Sequence, residues 1–326
     1  SWSPRSLAEA HEALALGALA RDPASVARAI SMVEDRRAEA AGPAAALLGA
    51  LASRGRGKTC QRVGVTGPPG VGKSSLVSAL IRRWRQNGRT VGVLAVDPSS
   101  PHSGGALLGD RARIELDPDD RDVFVRSMAS GGQLGGLARA AGAAVEVLSA
   151  VYDVVLIETV GVGQSETDIE HVADTVLLVV QPASGDVLQF IKAGVLEIPD
   201  VIAVNKADLG AVAQRALADL GSALRLGVEG EAPPVLATSA TTGAGIDELC
   251  LALDAHFSRI ASSGELATRR LRKSVAWVTR LFGQRYGEVG IERAGGLRAL
   301  ERTIEQELAR GANLIEALGN AAAKAG

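Results

Sequence analysis

Gly67-Pro68-Pro69-Gly70-Val71-Gly72-Lys73-Ser74 is the stretch of this 326-residue sequence that decides the fold. It has the spacing G-x-x-x-x-G-K-S and stands between a short apolar run, Val63 to Thr66, and a helical pattern that begins near Ser74. In such a loop the glycines let backbone N–H groups turn inward around the α- and β-phosphates of a nucleotide. The stretch therefore predicts a phosphate-binding loop, and the alternative is a chance glycine-rich turn before a helix.

Each residue of this loop has an expected part in holding a nucleotide. Lys73 would reach the β- and γ-phosphate oxygens, and the hydroxyl of Ser74 would hold Mg²⁺. The helix that follows would bring its positive dipole end to the phosphates. The residues of this stretch that are predicted to contact the nucleotide are Gly67, Pro69, Gly70, Val71, Gly72, Lys73, Ser74 and Ser75.

Short apolar runs alternate with longer helical stretches on both sides of the loop, from about residue 60 to about residue 260. Continuous apolar strands separated by helices are typical of a mainly parallel sheet that is covered on both faces. The predicted fold class is therefore α/β, with a mainly parallel sheet. The predicted strands are Val63 to Thr66, Val91 to Asp97, Val123 to Arg126, Val154 to Glu158, Val176 to Val180, Val201 to Asn205 and Val235 to Ser239.

The sequence divides into three predicted segments. Residues 1–57 form an N-terminal helical extension, residues 58–261 form the domain with the phosphate loop, and residues 262–326 form a C-terminal helical arm. The arm has two apolar helical stripes, which either pack back on the core or form the seam of a dimer. These stripes are Leu271, Val275, Val278 and Phe282, and Leu297, Leu300, Ile304 and Leu308.

Local signals mark where some of the helices begin. Asp22 followed by Pro23 is typical of an N-cap with proline at the first helical position. Near the other end of the chain, Asn313 with Glu316 three residues later resembles a capping box. Helices are therefore predicted to start at both places.

A second motif, Asn205-Lys206-Ala207-Asp208, stands at the end of an apolar strand. The Asp208 carboxylate can accept two hydrogen bonds from the N1–H and the exocyclic amine of guanine. Adenine offers neither donor in that geometry, so ATP would leave the carboxylate unpaired and would be rejected. Taken alone, the tetrapeptide is also compatible with an ordinary helix start and a solvated aspartate. Ser239 and Ala240, at the end of the next strand, form a weaker prediction for contacts with the guanine edge.

Two acidic residues close predicted strands. Asp97 ends one run and Glu158 ends another, and Gly161 follows shortly after Glu158. Carboxylates at the carboxyl ends of parallel strands lie where nucleotides bind, and Mg²⁺ prefers one or two carboxylates together with water and phosphate oxygens. Asp97, Glu158 and Ser74 are therefore predicted metal ligands, and the Gly161 N–H is predicted to contact the γ-phosphate. The alternative is that each acid only caps the following loop.

Composition excludes several other classes of protein. The 35 Lys and Arg residues against 37 Asp and Glu give a formal charge of −2, so no nucleic-acid partner is expected. No uninterrupted apolar run is long enough for a membrane span, and we expect a cytoplasmic protein without a membrane partner. Cys60 and Cys250 are too far apart in sequence for a zinc motif, and they are expected to be buried thiols.

Longer stretches around these motifs resemble one family of GTPases. The residues after Glu158 read Thr-Val-Gly-Val-Gly-Gln-Ser-Glu, and Asp97 is followed by Pro98-Ser99-Ser100, then Gly104-Gly105 and Leu108-Gly109-Asp110. With the guanine motif, they resemble the MeaB/ArgK family of P-loop GTPases, to which the methylmalonic aciduria type A protein belongs. The resemblance covers nearly the whole chain. Departures fall in the first switch, where this sequence has Pro101-His102, Arg111 and Ile114.

The resemblance implies a Mg²⁺-dependent GTPase that acts as a chaperone for an adenosylcobalamin-dependent acyl-CoA mutase. It would gate cofactor loading and protect the mutase, with no cobalamin bound directly by this chain. The resemblance further implies that Asp110 lies near Mg²⁺ and the γ-phosphate, and that the C-terminal arm forms a homodimer. The predicted catalytic residues are Lys73, Asp97 and Glu158, from the motifs described above, together with Asp110, which the resemblance implies. The residues that the resemblance implies relay the nucleotide state to the partner are Asp186, Gln189 and Lys192.

Three other functions remain open at this point. A GTPase for metal insertion would need a Cys or His cluster, which the sequence lacks. A kinase that transfers phosphate to a protein or small molecule, as the older ArgK naming suggests, is disfavoured by the guanine motif. An interaction module with an inactive nucleotide site is disfavoured by the intact Lys73, Ser74 and Glu158.

Overall fold

The computed structural model describes residues 4–35, 37–55, 59–97, 114, 120–129, 140–159, 169–182, 199–227 and 232–325. Within these ranges the strands are β1 (Gln61–Thr66), β2 (Val91–Asp97), β3 (Val123–Ala129), β4 (Val154–Thr159), β5 (Thr175–Val180), β6 (Val201–Val204) and β7 (Val235–Ala237). The α-helices are α1 (Pro4–Leu19), α2 (Pro23–Glu34), α3 (Ala41–Arg54), α4 (Lys73–Gln86), α5 (Ala141–Val151), α6 (Ala211–Gly227), α7 (Ile246–Ser262), α8 (Glu265–Arg293), α9 (Leu297–Ala309) and α10 (Leu314–Ala325).

The strands form one sheet in the order β3-β2-β4-β1-β5-β6-β7, and every neighbouring pair is parallel. β1 lies in the middle, with Val63 opposite Leu156 of β4 on one side and Thr175 of β5 on the other. The residues of β1, β4, β5 and β6 are buried along their whole length, as expected for strands covered on both faces. The predicted α/β class with a mainly parallel sheet is confirmed.

The described residues group into two compact units. The sheet unit contains β1 to β7 with α4, α6 and α7, and the helical unit contains α1 to α3, α5 and α8 to α10. The three-segment division made from the sequence remains a prediction about domain boundaries. The compact units add α5, which lies between β3 and β4 in sequence, to the helices of the two chain ends.

Apolar cores lie against the sheet. The larger contains Trp84 of α4 and Leu253 of α7, both fully buried, together with strand residues such as Leu156. A smaller cluster joins Leu220 and Leu224 of α6 to β5 and β6. Parallel strands all end at one edge of a sheet, so the residues that directly follow β1 and β6 lie at the same edge.

The helical unit shows the predicted helix starts. The Asp22 carboxylate accepts from the Ser25 N–H at 2.9 Å, and Pro23 is the first residue of α2. Asn313 and Glu316 form a reciprocal capping box, with Glu316 N–H donating to the Asn313 side chain at 3.1 Å and Asn313 N–H donating to Glu316 at 2.9 Å. Both predicted caps are confirmed.

One predicted apolar stripe of the C-terminal arm is shorter than expected. Leu300 and Ile304 are buried, whereas Leu297 is 50% exposed. Leu297 is the first residue of α9, directly after Gly296, and its position at the helix end turns it away from the packed face. Among the described residues, no helix is both long enough and apolar enough to cross a membrane.

Candidate functional site

The phosphate loop connects β1 to α4, and two of its glycines are required by their surroundings. Gly67 has φ 142°, and a Cβ there would lie 2.0 Å from the carbonyl oxygen of Val179. Gly72 has φ 89°, and a Cβ there would lie 2.6 Å from the Asn205 amide nitrogen. A side chain at either position would collide with the neighbouring strand or loop, so the loop can follow this path only with glycine.

Lys73 is the first residue of α4, and it is buried although it carries a charge. Its Nζ donates to the carbonyl oxygens of Gly67 at 2.8 Å and Pro68 at 2.9 Å. These bonds fold the side chain back over the loop that precedes it and offset part of the desolvation cost of the ammonium. A phosphate oxygen in the loop would be within the field of this positive charge.

Ser74 and Glu158 are in contact although 84 positions separate them. The Ser74 hydroxyl donates to Glu158 Oε1 at 2.8 Å. Glu158 is buried near the carboxyl end of β4, in register with Val65 of β1 and Ala95 of β2. A hydroxyl and a carboxylate at this distance are oxygen donors of the kind that Mg²⁺ takes from proteins, so the pair fits a magnesium ion.

Asn205 joins the phosphate loop to two other loops. The residue follows β6 and is buried. Its amide Nδ2 donates to the Val71 carbonyl at 2.9 Å, and its Oδ1 accepts from the Ala240 N–H at 3.3 Å. The motif predicted to read guanine is therefore attached directly to the loop predicted to hold the phosphates.

Asp208 and Ser239 are in contact at the carboxyl edge of the sheet, after β6 and β7. Asp208 lies in a short 3-10 helix, Ala207–Leu209, and is exposed. The Ser239 hydroxyl donates to Asp208 Oδ1 at 2.6 Å. A carboxylate has about four lone-pair sites, so this bond leaves Asp208 able to accept from a ligand. Ser239 therefore orients the carboxylate and does not occupy it.

Lys206 shows a contact that the sequence did not predict. Its Nζ donates to the Gly70 carbonyl at 2.8 Å and to Gln181 Oε1 at 2.6 Å. Gln181 directly follows β5 and thus stands at the carboxyl edge of the sheet. The signal that would have found it is a polar side chain placed immediately after an apolar strand.

The remaining predicted site residues differ in how much of them the structure describes. Pro69 and Ser75 are exposed on the loop and at the start of α4. Asp97 is the last residue of β2, but its side chain is outside the described residues. The predictions for Asp110, Gly161, Asp186, Gln189 and Lys192 all fall outside the described residues.

The two cysteines and His256 have side chains of a kind that can bind metals. Cys60 and Cys250 are buried thiols, as predicted, and burial raises the pKa of Cys250 to about 12. His256 Nδ1 lies 2.8 Å from the Thr175 hydroxyl and Nε2 lies 3.1 Å from Asp200, which indicates a structural role. Among the residues with described positions, no group of three or more His, Cys, Asp and Glu side chains is arranged to hold a metal.

Comparisons with known proteins agree with this geometry. The family model described as methylmalonyl Co-A mutase-associated GTPase MeaB matches residues 26–289. A protein of Caulobacter vibrioides named as a GTPase is 39% identical over 299 residues, covering 90% of each chain. A protein of Pyrococcus horikoshii, also named as a GTPase, is 49% identical over 214 residues, which are 64% of this chain and 67% of the relative.

Among solved structures, the crystal structure of a LAO/AO transport system kinase is similar along nearly its whole length. It has a TM-score of 0.66 and 30% sequence identity, and the match covers 95% of this chain and 92% of that one. The fold, the connected phosphate and base loops and the match of a family model over most of the chain lead to one assignment. The chain belongs to the MeaB family of methylmalonyl-CoA mutase-associated GTPases, and it is a GTPase.

Proposed function

We propose that this GTPase binds GTP with Mg²⁺ at the carboxyl edge of the sheet and uses the nucleotide state to assist an adenosylcobalamin-dependent acyl-CoA mutase. The observation that carries the nucleotide site is the contact between Ser74 and Glu158, 2.8 Å long, next to the loop that Asn205 ties to the guanine motif. In this proposal one edge of the sheet provides the phosphate-binding loop, two metal ligands and the carboxylate that reads the base.

Transfer of a phosphoryl group to water depends mainly on positioning and on neutralising charge. We assign Lys73 and the backbone N–H groups of the loop, which residues 70–74 can donate and the two prolines cannot, to the negative charge that develops on the phosphate oxygens. Ser74 and Glu158, with Asp97 and Asp110 as further expected ligands, would hold Mg²⁺. When bound, the ion supplies Lewis-acid charge neutralisation at the β- and γ-phosphates. The N–H of Gly161 is assigned to the γ-phosphate.

Choice of the base is assigned to Asp208. Its carboxylate, oriented by Ser239, would accept from the N1–H and the exocyclic amine of guanine. ATP would cover this exposed carboxylate without offering those donors, at a cost of about 1–3 kcal/mol for the acceptor left unpaired. The N–H of Ala240 is already turned toward Asn205, so Ala240 supports the loop that contacts the base.

The mutase partner is supported by the description of the family to which the chain belongs. We propose that the GTPase gates loading of the cobalamin cofactor into the mutase and protects it, and that the cobalamin itself stays with the partner. Asp186, Gln189 and Lys192 are assigned to relaying the nucleotide state. Slow intrinsic hydrolysis that the partner accelerates is expected, since such switches order around the γ-phosphate.

Single-turnover hydrolysis with and without purified methylmalonyl-CoA mutase tests this proposal. The expected result is acceleration by the mutase and a different affinity of the mutase for the GDP-loaded and GTP-loaded protein. Equal rates with and without mutase, together with equal affinities in both nucleotide states, would contradict the chaperone role. The GTPase would then act with a partner protein other than this mutase.

The similar solved structure is named a transport system kinase, which favours one second candidate, transfer of phosphate to an acceptor other than water. Incubation with γ-labelled GTP and with γ-labelled ATP distinguishes the two reactions. Our account expects the label to appear as inorganic phosphate from GTP alone. Label on a protein or on an amino acid would support the kinase candidate.

We also propose a homodimer formed by residues 262–326. Support comes from apolar side chains exposed on this arm at the end of α8 and the start of α9, namely Tyr286, Val289 and Leu297. Light scattering on the purified chain is expected to give twice the monomer mass of 33.4 kDa. A monomer at tens of micromolar would contradict this proposal without affecting the nucleotide site.

A further inference from the structure

Lys206 adopts a backbone conformation that is unusual for a residue with a side chain. Its φ is 60° and its ψ is 40°, in the left-handed region, where most residues other than glycine are strained. Its side chain is also long, and ordering it costs rotamer entropy. A residue held in this way needs contacts that compensate for both costs.

Two oxygen acceptors provide that compensation. The ammonium donates to the Gly70 carbonyl within the phosphate loop and to Gln181 Oε1 after β5. Both bonds are donated by the charged ammonium, and the contact with Gln181 at 2.6 Å is the shorter of the two. The Lys206 side chain therefore spans from the base-reading loop to the phosphate loop.

The backbone explains why Gln181 lies beside Lys206. The N–H of Asn205 donates to the Val180 carbonyl at 2.8 Å, which continues the pairing of β5 with β6 beyond the last residue of β6. Residues 181 and 206 each follow one member of this pair. The backbone on either side of Lys206 is also held, by the bond from Asn205 and by the bond from the Ala207 N–H to the Thr238 carbonyl at 2.9 Å. The long Lys206 side chain is held by its contacts with Gly70 and Gln181.

We infer that Gln181 is a positioning residue that sets the affinity for guanine nucleotides by holding Lys206 in place. This inference rests on the proposed nucleotide site. Held by Gln181, the aliphatic stem of Lys206 forms an apolar wall for the base, and its ammonium keeps the Gly70 carbonyl of the phosphate loop engaged. Gln181 itself contacts neither the base nor the reacting phosphate in this assignment.

This arrangement predicts a particular kinetic signature. Both GDP and GTP contain the guanine base, so loss of the Gln181 contact should weaken them equally. We expect Gln181→Met, which keeps the length but removes the acceptor, to weaken both by about three- to tenfold, the effect of one partly exposed bond to a charged group. The rate of hydrolysis at saturating GTP should stay unchanged, because the γ-phosphate contacts are intact.

The test is a set of fluorescent GDP and GTP titrations with dissociation rates and single-turnover hydrolysis, performed on the full chain. Gln181→Glu keeps an acceptor at the same reach and should bind nucleotide nearly as the parent does. Gln214→Met, at an exposed position of α6, is the matched control and should change nothing. Thermal unfolding without nucleotide reports whether each variant is folded.

A double-mutant cycle with Lys206→Met decides whether Gln181 acts through the lysine. In the Lys206→Met background, Gln181→Met should have no further effect on affinity. Unchanged affinity in the single variant, or an equal loss in both backgrounds, would overturn the inference. If the parent protein bound no guanine nucleotide, the proposed nucleotide site would be wrong. That result differs from those that contradict only the role of Gln181, because in those the parent protein still binds nucleotide.

Discussion

The two edges of the same parallel sheet use polar side chains in different ways. At the amino edge, Asp153 accepts from both the N–H and the hydroxyl of Thr90, each at 2.9 Å, and its own N–H donates to the Thr90 hydroxyl at 2.9 Å. This reciprocal pair connects the start of β4 to the start of β2. Without these bonds, the polar atoms at the start of the two strands would lack a hydrogen-bond partner.

Further contacts repeat this pattern along the amino edge. Asp174 accepts from the Arg62 N–H at 3.0 Å, and Asp200 accepts from the Val176 N–H at 2.8 Å. In each case a carboxylate is bonded to the backbone of a neighbouring strand. These side chains close the sheet where its strands begin, and loss of any one would leave a backbone donor unsatisfied.

At the carboxyl edge the contacts join side chains to one another or to loop carbonyls. Ser74 bonds to Glu158, Lys73 bonds to the carbonyls of Gly67 and Pro68, and Ser239 bonds to Asp208. The oxygens of a nucleotide and of its metal ion can replace or supplement these partners. We therefore expect substitutions at the amino edge to change mainly stability, and substitutions at the carboxyl edge to change mainly nucleotide binding.

The largest effect is expected for Lys73→Ala. Bonds from a charged donor to phosphate oxygens contribute about 1.5–3 kcal/mol each, so losing those to the β- and γ-phosphates should weaken GTP binding by about 100-fold or more. At a GTP concentration 100 times the parent Kd, stabilisation should fall from about 2.7 kcal/mol to about 0.4 kcal/mol or less. Differential scanning fluorimetry with and without GTP measures this change. Equal GTP-induced shifts in variant and parent would contradict the phosphate-loop role.

Asp208→Asn is expected to exchange the preferred base. The amide donates where the carboxylate accepted, so guanine nucleotides should bind about 100-fold more weakly, the effect of about two lost charge-assisted bonds. Xanthine nucleotides, which present an acceptor there, should gain affinity. Competition titrations with GDP and XDP give both constants. Asp219→Asn, at an exposed position of α6, is the control, and undiminished GDP binding by Asp208→Asn would refute the guanine assignment.

Asp153→Ala tests the opposite edge. Loss of the carboxylate leaves the Thr90 N–H and hydroxyl without this acceptor, which should lower the free energy of unfolding by about 2 kcal/mol. The Kd for GDP should stay within about twofold of the parent, because the substitution is at the far ends of the strands. Urea unfolding and GDP titration measure the two quantities. A large loss of affinity at unchanged stability would break the distinction between the edges.

The smallest effect concerns pH and the ion pair before β3. Arg85 donates to Asp120 at 2.8 Å, and this bond holds the pKa of the Asp120 carboxyl below its usual value near 4. The folded state therefore binds fewer protons at this group than the unfolded state. The stabilisation, below about 1 kcal/mol for a pair near the surface, is complete above pH 4 and is lost as the pH falls through the lowered pKa.

The stability difference between the parent and Asp120→Asn should therefore shrink as the pH is lowered from 6 to 3. Urea unfolding at several pH values measures it. A difference that stays constant over this range would exclude Asp120 as the titrating group. GDP affinity at pH 7 should be the same in both proteins, as at other positions of the amino edge.

Much of the sheet could be predicted because its strands are buried on both faces and so read as continuous apolar runs. The prediction missed the first two residues of β1, Gln61 and Arg62, since both are polar. They are buried because the Gln61 amide donates to the Leu253 carbonyl at 3.0 Å and the Arg62 N–H donates to Asp174. Leu253 is 192 positions away from Gln61, and no local pattern reveals such a partner.

In the candidate site, too, contacts between residues far apart in sequence could not be predicted. The phosphate loop and the guanine motif could be recognised because backbone geometry and base chemistry demand particular residues at fixed spacing. Gln181 has no such spacing, and its contact with Lys206 arises only when β5 and β6 pair. Side chains whose role depends on the neighbouring strand become visible in the structure alone.

Isothermal calorimetry of the full chain with GDP, GTP and ATP, each with and without Mg²⁺, is the decisive experiment for a magnesium-dependent guanine nucleotide site. We expect saturable binding of GDP and GTP, strengthened by Mg²⁺, and no measurable binding of ATP at the same concentrations. Folded protein that takes up no guanine nucleotide in the presence of Mg²⁺, or that binds ATP as well as GTP, would contradict it.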